Sequence, residues 1–209
     1  MAEPSERFPL FPLGMVLLPE EVVPLHIFEE RYQKMIGGCL EEETEFGIVW
    51  SDEDGTRDVG CAAEIAQLIE RMEDGRMNIL VKGTRPFRLT RQIEDMPYPA
   101  GDVEWLEEEA DVVIEDDEEA AAQARRAYAD LVEQVTDSRP SEGDLGQLDA
   151  YGMAATIAFD PSDKQELLEL RSEDDRMARL AELCSTASKH LARSQEAAER
   201  ASTNGKVHH

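Results

Sequence analysis

The chain has 209 residues, of which 21 are Lys or Arg and 47 are Asp or Glu, so its formal net charge is −26. A surface of this sign repels nucleic acids and anionic membranes, which proteins bind through clustered cationic side chains, and we therefore expect neither partner. Apolar residues make up 41% of the chain, a proportion that supports a sizeable core and excludes a disordered protein.

The first half of the sequence is predicted to be mostly β-strand, because short runs of Val, Ile and Phe are separated by Gly, Pro and Asp. Prolines in the first two runs place these strands at an edge, at a strand start or at a bulge. Asp74-Gly75 predicts a tight hairpin, and Gly83 is predicted to end the strand that follows it. The predicted strands, six or seven and enough to close or nearly close a small barrel, are 8–13, 22–28, 46–50, 61–72, 77–81, 87–93 and 101–106.

One helix is predicted to interrupt these strands, with an apolar stripe at helical spacing that we expect to face the core. The stripe consists of Tyr32, Met35, Ile36, Cys39 and Leu40.

The residues just before this helix are predicted to be structural. His26 stands between Leu25 and Ile27 in a predicted strand, so its side chain faces away from theirs, as in a solvated strand residue. Arg31 follows Glu29 closely enough to predict a local ion pair.

The second half changes to helical periodicity after a block, 101–119, with 11 acidic and no basic residues. Self-repulsion in this block favours an extended, solvated chain. Asp160-Pro161 supplies a helix N-cap followed by a proline at the first helical position, and the longest helix is expected after Ser172. The predicted organisation is a flexible N-terminus over 1–7, a barrel over 8–106, an acidic linker over 107–119, a helical bundle over 120–193 and a frayed tail over 194–209.

Motifs for catalysis are absent from the sequence, which has no Gly-rich phosphate loop, no dinucleotide-binding turn, no His-Glu-x-x-His zinc helix and no Gly-x-Ser-x-Gly elbow. We therefore predict no catalytic residue, no cofactor and no metal site. The three cysteines form neither a disulfide framework nor zinc-binding pairs, so a reducing compartment is expected. No segment has the roughly 20 apolar residues of a membrane span, and we place the protein in the cytoplasm.

Short motifs follow one another in a specific order over about residues 8 to 190. They include Phe8-Pro9-Leu10-Phe11-Pro12-Leu13, Val23-Pro24-Leu25-His26-Ile27-Phe28, Phe46-Gly47-Ile48-Val49, Asp74-Gly75-Arg76, Val81-Lys82-Gly83, Arg85-Pro86-Phe87-Arg88 and Lys164-Gln165-Glu166-Leu167-Leu168-Glu169. In order and spacing this series resembles the N-terminal, substrate-binding domain family of Lon proteases, as a stand-alone member that lacks the ATPase and peptidase domains.

The resemblance implies an α+β fold: a PUA-like β-barrel of six or seven strands with one inserted helix, followed by a C-terminal helical bundle. In Lon this region helps to recognise unfolded or tagged protein substrates, whereas ATP hydrolysis and peptide cleavage belong to later domains. We therefore expect a noncatalytic polypeptide-binding module, an adaptor or a chaperone-like protein, with a protease or a chaperone as candidate partner. The helical stripe from Met177 suits internal packing or a second copy equally, so the oligomeric state stays open.

A receptor for unfolded segments needs an apolar groove and a free strand edge. We expect the groove at an apolar loop without helical or strand periodicity, formed by Leu13, Met15, Val16, Leu17 and Leu18. The alternative is that this loop covers one end of the barrel.

Two other functions are alternatives to polypeptide binding. One is RNA binding by a PUA-like barrel, which the acidic excess opposes. The other is small-molecule binding, for which the sequence offers no convergent polar cluster.

Overall fold

The computed structural model describes residues 5–108 and 115–204, with side chains for 5–108 and 119–197. Within these residues the strands are β1 Ser5–Leu13, β2 Val22–Ile27, β3 Phe46–Asp52, β4 Gly55–Arg71, β5 Met77–Ile93 and β6 Ala100–Trp105. The helices are α1 Glu30–Glu42, α2 Glu115–Thr136, α3 Glu142–Leu145, α4 Ala150–Ala154, α5 Pro161–Glu169 and α6 Glu173–Asn204. The predicted change from strands to helices is confirmed.

The strands form one mixed sheet in the order β2-β5-β4-β3-β1-β6, and β6 also pairs with β5. The pairings therefore run in a ring from β5 through β4, β3, β1 and β6 back to β5. Only the β1–β3 pair is parallel among the pairings of the described strands. Strand β2 pairs with the first part of β5 and lies outside the ring, so among the described strands it is an edge strand.

The ring is filled by apolar side chains that alternate along its strands. Phe87 is fully buried and meets Phe8 edge-on, with 5.6 Å between the ring centroids. Gly47 and Gly60 make room for Phe87, since a Cβ at either position would lie 2.6 or 2.7 Å from its Cζ. The core cluster consists of Phe8, Leu10, Val49, Ala62, Phe87, Leu89 and Val103, with Trp105 packed against it.

Helix α1 confirms the predicted apolar stripe. Its buried side chains are Tyr32, Met35, Ile36 and Cys39, whereas Leu40 is half-buried. The helix ends where Glu43 adopts a left-handed conformation, with φ of 53°, and donates its backbone N–H to the carbonyl of Cys39.

The segment between β1 and β2 is held in the strand-rich unit by a buried ion pair. Residues 16–18 are at most 3% exposed. The N–H of Leu18 donates to the Glu21 carboxylate at 3.0 Å, and the other oxygen of Glu21 lies 2.5 Å from Nζ of Lys164 in α5. A single buried carboxylate therefore joins the loop after β1 to a helix that lies more than a hundred residues later in the chain.

Helix α5 also packs directly against β4. Gln165 donates through Nε2 to the carbonyl of Val59 at 3.1 Å, and Leu167 and Leu168 are buried. The hydroxyl of Tyr151 donates to the carbonyl of Leu167 at 3.4 Å. Residues 151–172 consequently form one compact unit with the strands.

The second compact unit comprises the described residues of 111–150 and 173–209. Helices α2 and α6 pack against each other there through buried side chains that recur at helical spacing, as predicted: Ala124, Tyr128, Leu131, Met177, Leu180 and Cys184. Arg176 is 2% exposed and donates to the Glu173 carboxylate at 3.1 Å. The same carboxylate accepts the N–H of Ala150 at 2.7 Å, which fastens the start of α4 to the start of α6.

The prediction that Gly83 ends a strand is wrong, because β5 continues through Gly83 to Ile93. A Cβ on this residue would lie 2.1 Å from the carbonyl oxygen of Leu18. Glycine is therefore required here because the backbones of Gly83 and Leu18 approach closely, and not because the chain reverses.

The structure also differs from the predicted domain boundaries. Strand β1 begins at Ser5, inside the region predicted as flexible, and Arg7 there donates its N–H to Asp102 at 3.1 Å. Helix α2 begins at Glu115, inside the predicted linker, since acidic residues also suit the first turn of a helix. Helix α6 extends to Asn204, within the predicted tail. Residues 1–4, 109–114 and 205–209 of the predicted termini and linker lie outside the described residues.

Candidate functional site

A groove of about 240 Å³ opens between the ends of β1 and β2 and the start of α1, and we call it the β1–β2 groove. Residues 11–13 form one wall, residues 25–29 form another, and Arg31 and Tyr32 close it. Phe11 is buried and packs on the Tyr32 ring, with 4.1 Å between the centroids. The groove thus has a rigid aromatic base and walls made largely of apolar side chains.

Phe28 is the most exposed large apolar residue that lines this groove, at 62% exposure. Phe28 directly follows β2 and continues its alternation, in which Leu25 is half-buried and Ile27 is buried, whereas His26 and Phe28 are exposed. The Phe28 ring stacks on the His26 ring with 6.0 Å between centroids and 21° between planes. An exposed aromatic side chain beside a groove is typical of an interaction surface.

His26 is held in place by a row of hydrogen bonds across three strands. Its Nδ1 lies 2.6 Å from Oδ1 of Asn78, and Nδ2 of Asn78 donates to the Glu70 carboxylate at 3.1 Å. The predicted solvated orientation of His26 is confirmed. These hydrogen bonds fix the imidazole ring against which the Phe28 ring stacks.

The charged side chains that line the groove, Glu29 and Arg31, neutralise each other. Arg31 forms the predicted ion pair with Glu29, at 2.9 Å, and its guanidinium lies 4.6 Å from the centroid of the Tyr32 ring. Burial raises the pKa of the Tyr32 hydroxyl, and the positive charge of Arg31 partly opposes this shift. Tyr32 is therefore a neutral hydrogen-bonding group at neutral pH.

The structure separates the five residues that the sequence predicts as a binding surface. Leu13 is half-buried and lines the β1–β2 groove, and Met15 is half-buried outside it. Val16, Leu17 and Leu18 are buried in the core, with exposures of 3%, 1% and 0%. The Glu21 carboxylate accepts the buried N–H of Leu18 within this run. Of the predicted set, only Leu13 is brought to the groove.

Phe28 is absent from the residues predicted as a binding surface, although the sequence carries a signal for it. In the predicted strand 22–28, the alternation that turns His26 outward also turns Phe28 outward, and a large aromatic side chain that faces away from the core is typical of an interaction surface. The remaining walls come from β1 and α1, which no local pattern brings together.

A larger cavity, of about 360 Å³, lies beside Cys39 and carries three carboxylates, those of Glu43, Glu45 and Glu64. Glu45 is already engaged, because its carboxylate accepts from Thr84 at 2.6 Å and from Arg85 at 3.0 Å. No group of three or more His, Cys, Asp or Glu side chains among the described residues could hold a metal ion.

The three cysteines are unpaired and buried. Burial raises the pKa of each thiol: that of Cys39 is above its usual range, that of Cys61 is far above it, and that of Cys184 reaches about 12. Thiols with such pKa values carry almost no thiolate at neutral pH, which makes them structural residues rather than nucleophiles.

None of the helices in the described part of the chain combines the length and the apolar composition that a bilayer crossing requires.

Residues 7–186 match the protein family described as the ATP-dependent protease La (LON) substrate-binding domain. Two curated relatives are the Lon proteases of Cytophaga hutchinsonii and Anaeromyxobacter dehalogenans, which are 20% and 23% identical to the chain over 84% of its length. The matched regions are only 23% and 22% of those two proteins, so the chain spans less than a quarter of the relatives it matches.

Two solved structures share the fold. A Lon N-terminal domain protein from Xanthomonas campestris superposes with a TM-score of 0.62 at 23% identity, covering 83% of this chain and 95% of that one. The N-terminal domain of a Mycobacterium avium complex Lon protease superposes with a TM-score of 0.65 at 20% identity, covering 86% and 98%. At sequence identities of 23% and 20%, these superpositions show that the fold is shared.

Proposed function

Because the chain belongs to the family of Lon substrate-binding domains, we propose that it binds unfolded or tagged polypeptide segments and cleaves no bond itself. The ring of pairings from β5 through β4, β3, β1 and β6 supports the further proposal of a PUA-like barrel. In this proposal the strand-rich unit is the receptor, and the β1–β2 groove is where a client contacts it.

The exposure of Phe28 is the observation that carries this proposal. A side chain of this kind, 62% exposed, is unfavourable in water and gains about 2 kcal/mol when a partner covers it. Leu13 and Leu25 extend the apolar surface into the groove, which suits one or two side chains of an extended segment. An unfolded polypeptide offers such side chains, whereas RNA would meet a chain with a net charge of −26.

The test compares Phe28→Ala with Val135→Ala in binding to a fluorescently labelled, carboxymethylated protein that stays unfolded. Val135 is 65% exposed on α2 and so is a matched control for loss of exposed apolar surface. We expect Phe28→Ala to weaken binding about thirtyfold, which corresponds to about 2 kcal/mol, and Val135→Ala to leave it unchanged. Equal affinities for the wild type and both variants would contradict the proposal.

We also propose a role for this binding, as a holder or an adaptor for clients of a protease or a chaperone in the cytoplasm. Binding of exposed apolar segments should slow the aggregation of a thermally unfolded client protein. Light scattering of such a client, with and without a stoichiometric amount of the chain, tests the holder role. Crosslinking mass spectrometry in the source cell tests the adaptor role through a reproducible protease or chaperone partner.

A further inference from the structure

Strand β2 has one bonded edge and one open edge among the described strands, and the hydrogen bonds show which residues face each edge. The N–H of Gly83 donates to the carbonyl of Glu21 at 2.9 Å, on the flank of the Val22–Lys82 pair. Because ladder bonds alternate in an antiparallel pair, the backbone groups of the next residue, Val23, face β5. The backbone groups of Val22, Pro24 and His26 therefore face the open edge.

Proline at this edge determines what can pair with it. Pro24 has no N–H, so the open edge presents carbonyl oxygens at Val22, Pro24 and His26 but an N–H at only the first and the last. If β2 paired with β2 of a second copy, both strands would lack the N–H of Pro24, and this loss of hydrogen-bond donors disfavours self-association. A foreign extended segment with an unbroken series of N–H groups complements the edge better.

The charge beside the groove favours a basic segment. Glu29 is neutralised by Arg31, whereas Glu30, the first residue of α1, is exposed and has no ion pair within the described residues. The chain as a whole carries a net charge of −26, which attracts Lys and Arg side chains over the distance of the Debye length.

We propose that an extended, basic polypeptide segment adds to the open edge of β2 as a further strand and seats an apolar side chain against Phe28 in the β1–β2 groove. This inference rests on the proposed function and specifies its geometry and its client chemistry. Backbone pairing supplies an affinity that is independent of the client sequence, and the groove and Glu30 supply the preference for apolar residues interleaved with basic ones.

The test uses the full chain and a short, capped, fluorescent peptide in which Lys alternates with Leu or Val, together with two N-methylated forms. In one form the N-methyl groups are on the odd residues, and in the other they are on the even residues. All N–H groups of one set point to the same edge of a strand, so strand addition requires one set and leaves the other in solvent. We expect one methylated peptide to bind about tenfold more weakly than the parent, and the other to bind like the parent.

The outcomes separate this inference from the proposed function. If the parent peptide binds but both methylated forms retain or lose affinity equally, strand addition is refuted and client binding stands. If the parent peptide does not bind but the carboxymethylated protein does, this inference alone fails, and if neither binds, the proposed function fails as well. A dimer of the free chain that the peptide dissociates would make a second copy the occupant and would overturn the assignment of a foreign segment.

The charge preference has its own matched pair of variants. Glu30→Gln should weaken binding of the Lys-containing peptide severalfold at low salt, whereas Glu41→Gln, at an exposed position near the other end of α1, should not. Equal effects of the two substitutions would show that the preference arises from net charge alone and would remove Glu30 from the site.

Discussion

The buried ion pair between Glu21 and Lys164 yields the sharpest stability prediction. The side chains are 10% and 11% exposed, and Oε1 of Glu21 lies 2.5 Å from Nζ of Lys164. At an effective dielectric constant of about 20, this separation corresponds to a gross attraction of about 7 kcal/mol, which the desolvation of both charges largely offsets. Removing one partner leaves the desolvation cost of the other without compensation, and such changes cost about 3–5 kcal/mol.

Lys164→Met keeps the aliphatic stem of the side chain and removes only its charge, so we expect a loss of about 4 kcal/mol in the strand-rich unit. Urea unfolding followed by tryptophan fluorescence isolates this unit, because the two tryptophans of the chain, Trp50 and Trp105, both lie in its strands. Lys82→Met is the matched control, since Lys82 pairs with Glu20 where the side chains are 34% and 55% exposed, and its loss should leave the free energy of unfolding nearly unchanged.

The double variant Glu21→Gln/Lys164→Met completes the test. Glutamine retains an oxygen that accepts the N–H of Leu18, and the double variant buries no unpaired charge, so it should recover most of the stability that Lys164→Met loses. A loss of stability in Lys164→Met no larger than that in Lys82→Met, or a double variant less stable than both single variants, would contradict this role of the ion pair.

Three further predictions concern packing, thiols and acid stability. Gly83→Ala should destabilise the strand-rich unit by about 3 kcal/mol or more, because its Cβ meets the Leu18 carbonyl, whereas Gly14→Ala, with open space around it, should be neutral in urea unfolding. At pH 8 the thiols of Cys39, Cys61 and Cys184 should react with Ellman's reagent much more slowly in the folded chain than in urea, because burial shields each sulfur and raises each pKa. Fast labelling of the folded chain would contradict this prediction. Hydrogen bonds from Arg91 and from the Arg7 backbone lower the pKa of Asp102 from 3.8, so its stabilising effect is complete above that value and is lost as pH falls through the folded pKa. Thermal unfolding of Asp102→Asn should therefore be less sensitive to acid than that of the wild type, and an unchanged acid profile would contradict the assignment.

Elements specified by local chemistry were predictable from the sequence. The apolar stripe of α1 follows directly from its spacing, and Asp74-Gly75 marks a hairpin whose glycine has φ of 87°, a conformation that other residues rarely adopt. Asp160 and Pro161 mark the start of α5 in the same way, although the Asp160 side chain does not form the predicted capping hydrogen bond. In each case a few neighbouring residues determine the structure, and no distant contact overrides them.

Features that depend on distant partners were not predictable. The apolar run at residues 16–18 is buried, and the Leu18 N–H within it is bonded by Glu21, whose carboxylate pairs with Lys164, 143 residues away in the sequence. Gly83 resembles a strand end until the Leu18 backbone is placed beside it. Residues 151–172 have helical periodicity like the rest of the second half, and only their contacts with the strands assign them to the first unit. A local pattern carries no information about such contacts.

Site-specific photo-crosslinking to an unfolded client shows whether the client binds at the β1–β2 groove. Benzoylphenylalanine is placed at Phe28 in one sample and, as the control, at Val135 in another, where exposure is comparable. If the client binds at the β1–β2 groove, position 28 forms crosslinks to it, the basic peptide competes these crosslinks away, and position 135 forms few. Crosslinking at position 135 that equals or exceeds that at position 28 would place the client elsewhere and refute binding at the groove.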